Sequence, residues 1–166
     1  MLRNDYPRIA GPGFLERCHP RTAGFFHYWQ SKRRGDALPA RADLDPIEMK
    51  PWLPGLVLVD VTPAPGQQPP YCLTYRLIGT QARDLRGHEA TGKSVRDAYF
   101  GNSLEEIMEN YRLVIEERQV VYDGDRTLSK DGARLESETL LLPLAHDGVT
   151  VDMVVCYQEI ESVRPG

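Results

Sequence analysis

Tyr71-Cys72-Leu73-Thr74-Tyr75-Arg76-Leu77-Ile78-Gly79-Thr80 alternates in side-chain character and then stops at a glycine. Tyr71, Leu73, Tyr75 and Leu77 fall on one face at period two, and Cys72, Thr74, Arg76 and Ile78 fall on the other, which predicts a strand with two unlike neighbours. Gly79-Thr80 then turns the chain into a short helical pattern ending at Gly87, because glycine accepts backbone angles that other residues resist. The stretch is expected to be a central strand.

Working outward, Leu56 to Thr62 is nearly all apolar and predicts a strand covered on both faces, joined to the first stretch by the loop Pro63 to Pro70. Ser103 to Arg118 is the clearest helix. Ser103 and Glu106 fit a capping box, and Leu104, Ile107, Met108, Tyr111, Val114 and Ile115 recur at spacings of three and four. Beyond it, Gln119 to Ser129, Leu135 to Ala145 and Thr150 to Ile160 predict three strands. Their short connections, Lys130-Asp131-Gly132 and His146-Asp147-Gly148, suit antiparallel hairpins, since a parallel crossover needs about a dozen residues. Upstream, an aromatic helix is expected from Pro20 to Arg34, with Phe25, Phe26 and Trp29 on its stripe and Gly35 as terminator. Asp45-Pro46-Ile47-Glu48 reads as a helix start, and residues 1–18, without periodicity, as a flexible lead-in.

With 166 residues and a net charge of -4, the chain has room for one domain and no basic field to attract nucleic acid or anionic lipid. Lys32-Arg33-Arg34 sits where a helix ends and complements its dipole. No apolar run is long enough to span a bilayer and the N-terminus has no hydrophobic signal core, so a cytoplasmic location is expected. The cysteines, Cys18, Cys72 and Cys156, are too widely spaced for a disulfide or zinc framework, and Cys72 and Cys156 are expected as small buried thiols.

Gly87-His88-Glu89-Ala90-Thr91-Gly92-Lys93-Ser94 satisfies the phosphate-loop pattern, but that loop needs a strand directly before it and a long helix directly after, and the sequence offers neither. His19, His27, His88 and His146 have no metal-ligand spacing, so no metal is expected and cap, helix-surface, loop and turn roles are assigned. No serine, cysteine or lysine has a nucleophile context, so no catalytic residue is nominated and an enzyme is not expected. Arg41, Asp43 and Asp45 are candidates to clamp the connector onto Arg76.

Tyr28-Trp29, Pro39 to Pro46, Leu53-Pro54, Tyr75 to Thr80, the Gly87 to Gly92 spacing and Leu142-Pro143-Leu144 together resemble a PAS domain, in particular the short stand-alone PAS proteins common in alphaproteobacteria. The resemblance spans about residues 20–160. It implies an α+β fold with a five-stranded antiparallel sheet of order 2-1-5-4-3, helices closing one face, and an N-terminal helix that covers the other face or pairs with a second copy. The expected division is a lead-in over 1–18, a helical extension over 19–54 and a PAS core over 55–162. The chain lacks the cysteine helix of flavin photoreceptors, and helix 103–118 has no haem-ligating histidine, so no cofactor is implied.

A pocket between sheet and helices is expected to be lined by Tyr75, Leu77, Tyr99, Ile107, Met108, Tyr111, Leu140, Met153, Val155 and Tyr157, a largely apolar wall with phenolic hydroxyls. The reading is a non-catalytic cytoplasmic sensory or interaction module in bacterial signal transduction. Its ligand would be a small apolar molecule, its partner another signalling protein or a second copy through Phe25, Phe26 and Trp29. The alternative is an NTF2-like α+β pocket protein, a carrier or an enzyme, for which Tyr122-Asp123 and Asp152 are the available acids; it predicts long helices ahead of nearly all strands.

Overall fold

The computed structural model describes residues 2–101, 103–124, 127–128 and 134–162. In chain order the elements are β1 (Arg8–Ala10), α1 (Pro20–Ser31), β2 (Leu56–Pro63), β3 (Tyr71–Ile78), α2 (Thr80–Arg86), α3 (Val95–Ala98), α4 (Leu104–Glu116), β4 (Val121–Asp123), β5 (Thr127–Leu128), β6 (Arg134–Leu144) and β7 (Met153–Ser162). Tight 3-10 turns lie at Pro12–Glu16, Arg41–Asp43 and Leu53–Gly55. Every strand pairing is antiparallel, in one sheet ordered β1-β4-β6-β7-β2-β3 with β5 beside β6. Without β1 and β5, the path β3-β2-β7-β6-β4 is the expected 2-1-5-4-3 order.

The quoted strand, β3, is therefore an edge and not a central strand, because the last strand, β7, inserts between β6 and β2. Its outer edge is covered by the chain after α2. Tyr75 N–H donates to Lys93 O at 3.0 Å and Gly92 N–H to Tyr75 O at 2.8 Å, which occupies groups that would otherwise recruit another strand.

Residues expected as a flexible lead-in are instead built into the fold. Arg8–Ala10 pairs with β4, and Phe14 is fully buried, its ring 5.2 Å from Phe26 and 5.7 Å from Tyr122. The low apolar content of residues 2–18 hid this because one strand and one aromatic anchor suffice to pin the segment. Asp45 Oδ1 accepts from Ile47 N–H at 2.9 Å, yet only turns follow where a helix was expected. The connector does not clamp Arg76, which pairs with Asp60 at 3.5 Å while Asp43 lies 3.9 Å from Arg34. Lys32, next to the end of α1, pairs with Glu48 at 3.0 Å. Cys72, expected buried, is exposed on the edge strand; Cys156 is buried. The hairpin turn at His146-Asp147-Gly148 forms as expected, with Asp147 Oδ1 accepting from Val149 N–H at 2.8 Å and Thr150 N–H at 2.7 Å. The turn expected at Lys130-Asp131-Gly132 lies outside the described residues.

The sheet is covered on both faces. On one, α1 packs its aromatic stripe: Phe25 lies 5.5 Å from the Tyr157 ring, and the Trp29 indole N–H donates to Pro143 O at 3.0 Å. Phe25, Phe26 and Trp29, expected at a partner interface, are thus interior residues, each buried side chain worth about 1.5–3 kcal/mol to the fold. On the other face lie α2, α3 and α4. Ser103 Oγ caps α4 by accepting from Glu106 N–H at 3.3 Å, and Tyr111 and Val114 from its apolar stripe are buried.

At the end of β3 the chain passes so close to the Leu53–Gly55 turn that a Cβ on Gly79 would lie 2.6 Å from Pro54 O and closer still to Leu53 O. Gly79→Ala is expected to cost at least ~2 kcal/mol, since the obstructing atoms are backbone, and to lower Tm by roughly 4–8 °C in a thermal melt. An unchanged Tm would mean the turn moves aside.

Candidate functional site

Between the sheet and the α2–α4 layer lies a cavity of about 70 Å³. Its floor is Val57, Tyr75, Asp123, Thr139, Leu141, Cys156 and Gln158 from five strands, and its roof is Arg86, Phe100, Ile107, Asn110 and Tyr111. Cross-strand register places these floor residues together: Val57 lies opposite Cys156, Leu141 opposite Cys156 from the other side, Thr139 opposite Gln158, and Asp123 opposite Thr139.

Of the nominated pocket residues, Tyr75, Ile107 and Tyr111 line this cavity. Leu140 and Tyr157 are paired on the opposite face, under α1, as are Val155 with Leu58 and Met153 with Asp60. That face of the helices' sheet was assigned one residue out of phase. Residues 140–142 and 153–157 are apolar on both faces, so alternation carried no phase to read. Leu77 is exposed because the register shifts beside it: Leu58 opposes Leu77 and the next residue, Val59, opposes Tyr75, so a bulge at Arg76 turns Leu77 to the other face. Met108 lines a separate open groove of about 460 Å³ with Tyr71 and Arg112, and Tyr99 is exposed, its neighbour Phe100 entering the cavity instead.

The cavity is more polar than the nominated wall. Arg86 stands over the Tyr75 ring at 5.0 Å and the Phe100 ring at 5.3 Å, and its Nη1 donates to Tyr75 OH at 3.3 Å. Its Nε is buried and has no protein partner among the described residues, and the same holds for Oε1 of Gln158, a residue only 5% exposed. Tyr111 OH and Cys156 Sγ lie 3.9 Å apart. Burial raises the pKa of Tyr75 and Tyr111, and pushes the Cys156 thiol up to about 12, so all three are neutral at physiological pH.

Sequence reasoning missed Val57, Arg86, Phe100, Asn110, Asp123, Thr139, Leu141, Cys156 and Gln158 as cavity residues. Two signals were present: Asn110 interrupts the apolar stripe of α4 between Ile107 and Tyr111, and Gln158 follows the apolar run of β7. A polar residue at an interior position needs a partner, so each is a site candidate.

The N-terminal segment is fastened to this cavity's rim. Asn110 Nδ2 donates to Asp123 Oδ2 at 2.6 Å, Tyr6 OH donates to the same oxygen at 2.6 Å, and Arg8 Nε donates to Asn110 Oδ1 at 2.6 Å. Arg8 also pairs with Glu106 at 2.8 Å, and the other Glu106 oxygen accepts from Arg3 N–H at 2.6 Å. Burial alone would raise the Glu106 pKa, but the Arg3 N–H and Arg8 bonds outweigh it and leave the carboxyl below its ordinary range.

The phosphate-loop pattern does not form such a loop. Gly87 caps α2 in the left-handed region with φ 77°, and Ser94 caps a helix of only 4 residues. The segment's amides are spent within the protein, Gly92 N–H on Tyr75 O of β3, Lys93 N–H on Ala90 O and Thr91 N–H on the Glu89 carboxylate. Among the described residues no cluster of three or more His, Cys, Asp or Glu side chains is placed to hold a metal, and no helix is long and apolar enough to cross a membrane.

A single antiparallel sheet, helices on both faces and a small cavity between its layers define an α+β domain with an internal cavity. The family profile described as PAS domain matches residues 17–157, and the chain belongs to that family. No protein of curated function matches the sequence. Among solved structures, a light-oxygen-voltage domain studied with a flavin analogue is 15% identical over 70% of this chain and 83% of that one, with a TM-score of 0.49. The LOV domain of a blue-light activated histidine kinase from Erythrobacter litoralis EL346 is 14% identical over 65% and 95%, TM-score 0.46. A Rhodobacter sphaeroides LOV protein is 16% identical over 67% of this chain and 61% of its own, TM-score 0.48. The NTF2-like alternative is set aside by this family match and by the order of elements, three strands of the sheet, β1, β2 and β3, preceding the longest helix.

Arg8→Ala leaves Glu106 buried without its guanidinium and is expected to cost about 3 kcal/mol, lowering Tm by roughly 6–12 °C. Because the Glu106 pKa is lowered on folding, its contribution is complete above the ordinary glutamate pKa of about 4.3 and disappears as pH falls through the folded value. Wild-type and Glu106→Gln melting temperatures should therefore differ at neutral pH and converge in acid; a gap independent of pH would show that the charge of Glu106 is not involved.

Proposed function

We propose that this chain is a non-catalytic PAS sensory module that takes a small molecule into the cavity beneath α4 and passes the change in occupancy to a partner protein. The observation that carries this reading is the pair of buried polar groups without protein partners among the described residues, Arg86 Nε in the cavity's roof and Gln158 Oε1 in its floor. Interior polar groups are normally satisfied, and leaving one unmade costs about 1–3 kcal/mol, so a bound species that satisfies both is favoured. The apolar ligand expected from the sequence gives way to one with hydrogen-bonding atoms. Flavin does not fit: pockets for drug-sized ligands run to roughly 300 Å³ or more, against about 70 Å³ here.

The relay would run through the N-terminal segment. Asn110 and Asp123 line the cavity and also hold Arg8 and Tyr6, so a ligand that repositions either side chain loosens or tightens β1. The partner is a protein rather than nucleic acid, given the net charge of -4. A cytoplasmic setting agrees with thiols that are all free. The α1 aromatic stripe is unsuited to a dimer contact, since exposing it would uncover the sheet.

Native mass spectrometry of gently purified protein, followed by denaturing extraction, tests the reading. The expected result is a stoichiometric small molecule released on unfolding, with hydrogen exchange at Arg8–Ala10 that changes when it is removed. A chain with nothing bound, and β1 exchange indifferent to every added metabolite, would overturn it.

A further inference from the structure

Resting on the reading that the cavity is a ligand site, we infer that its ligand is a small organic carboxylate of about two to four carbons, held by the guanidinium of Arg86. Charge points to an anion. None of the ion pairs among the described residues includes Arg86. The one acid at the cavity, Asp123, has an oxygen already committed to Tyr6 OH and Asn110. The phenols of Tyr75 and Tyr111, kept neutral by burial, add donors and no repulsion.

Geometry narrows the anion to a carboxylate. Stacking on Tyr75 and Phe100 fixes the plane of the guanidinium, and the hydrogen bond to Tyr75 OH uses only Nη1, so the edge bearing Nε stays available for a two-pronged contact. A carboxylate matches that edge with one unit of charge. A phosphate dianion would bring about twice the charge to a single cation. Gln158 can turn its carboxamide to offer either a donor or an acceptor, meeting the second carboxylate oxygen or a hydroxyl beside it.

Size sets the chain length. Since one water-sized sphere occupies about 10–15 Å³, a cavity of 70 Å³ holds roughly five non-hydrogen atoms. Ile107 and Leu141 supply an apolar wall for a short alkyl group.

The test is isothermal titration of the full chain, together with methyl NMR of Ile107 and Leu141, using sodium propionate, propionamide and sodium phosphate. Propionate is expected to bind and shift both residues, and propionamide and phosphate to bind at least about tenfold more weakly. Arg86→Gln should lose propionate binding by about the same factor while its NMR spectrum stays folded, and Arg86→Lys should retain part of it. Propionamide binding as well as propionate, or undiminished binding to folded Arg86→Gln, would overturn the carboxylate assignment and leave the cavity a ligand site. Preference for phosphate would also overturn it. No binding of any probe overturns it as well, and the mass spectrum of purified protein then judges the sensory reading separately.

Discussion

A sheet whose inner strands are apolar on both sides has to be covered twice, and this requirement organises the molecule. β2, β6 and β7 bury side chains toward both layers, so a cover on one side alone would leave Leu140, Leu142, Val155 and Tyr157 in water. α1 supplies the second cover with Phe25, Phe26 and Trp29, and the Phe14 ring extends that cover over Tyr122. Close packing there gives the sheet a rigid floor against which the opposite layer is set.

The opposite layer is looser in chemistry. α4 lays Tyr111 and Val114 on the sheet, but Asn110 and Glu106 on the same helix are also buried, and both are satisfied by residues from the start of the chain. A buried carboxylate is tolerable only with such partners, so β1 and α4 stand or fall together. The same polar cluster reaches the cavity through Asn110 and Asp123, which gives the interior a hydrogen-bonded connection to the surface segment. Arg86, held by two aromatic rings, closes the far side.

Much of this was legible from residue order. Hairpin lengths announced an antiparallel sheet, Ser103 and the stripe after it announced α4, and the lack of room for a long helix after Ser94 disqualified the phosphate loop. The site was read less well. Tyr75, Ile107 and Tyr111 were found because they lie on elements with one apolar face, where periodicity has a phase. Leu140, Met153, Val155 and Tyr157 were assigned to the wrong face because doubly buried strands have none, and Leu77 because a bulge leaves no mark in the order of side chains.

The sequence by itself determined the five main strands, α1 and α4, the antiparallel pairing and the PAS resemblance, since these depend on local pattern and on connection length. Tertiary structure alone decided which face of β6 and β7 meets the helices, that Arg8 would find Glu106 about a hundred residues away, and that Arg86 and Gln158 would share one cavity. Those outcomes depend on how covers compete for the two faces of a sheet, and no window of neighbouring residues contains that competition.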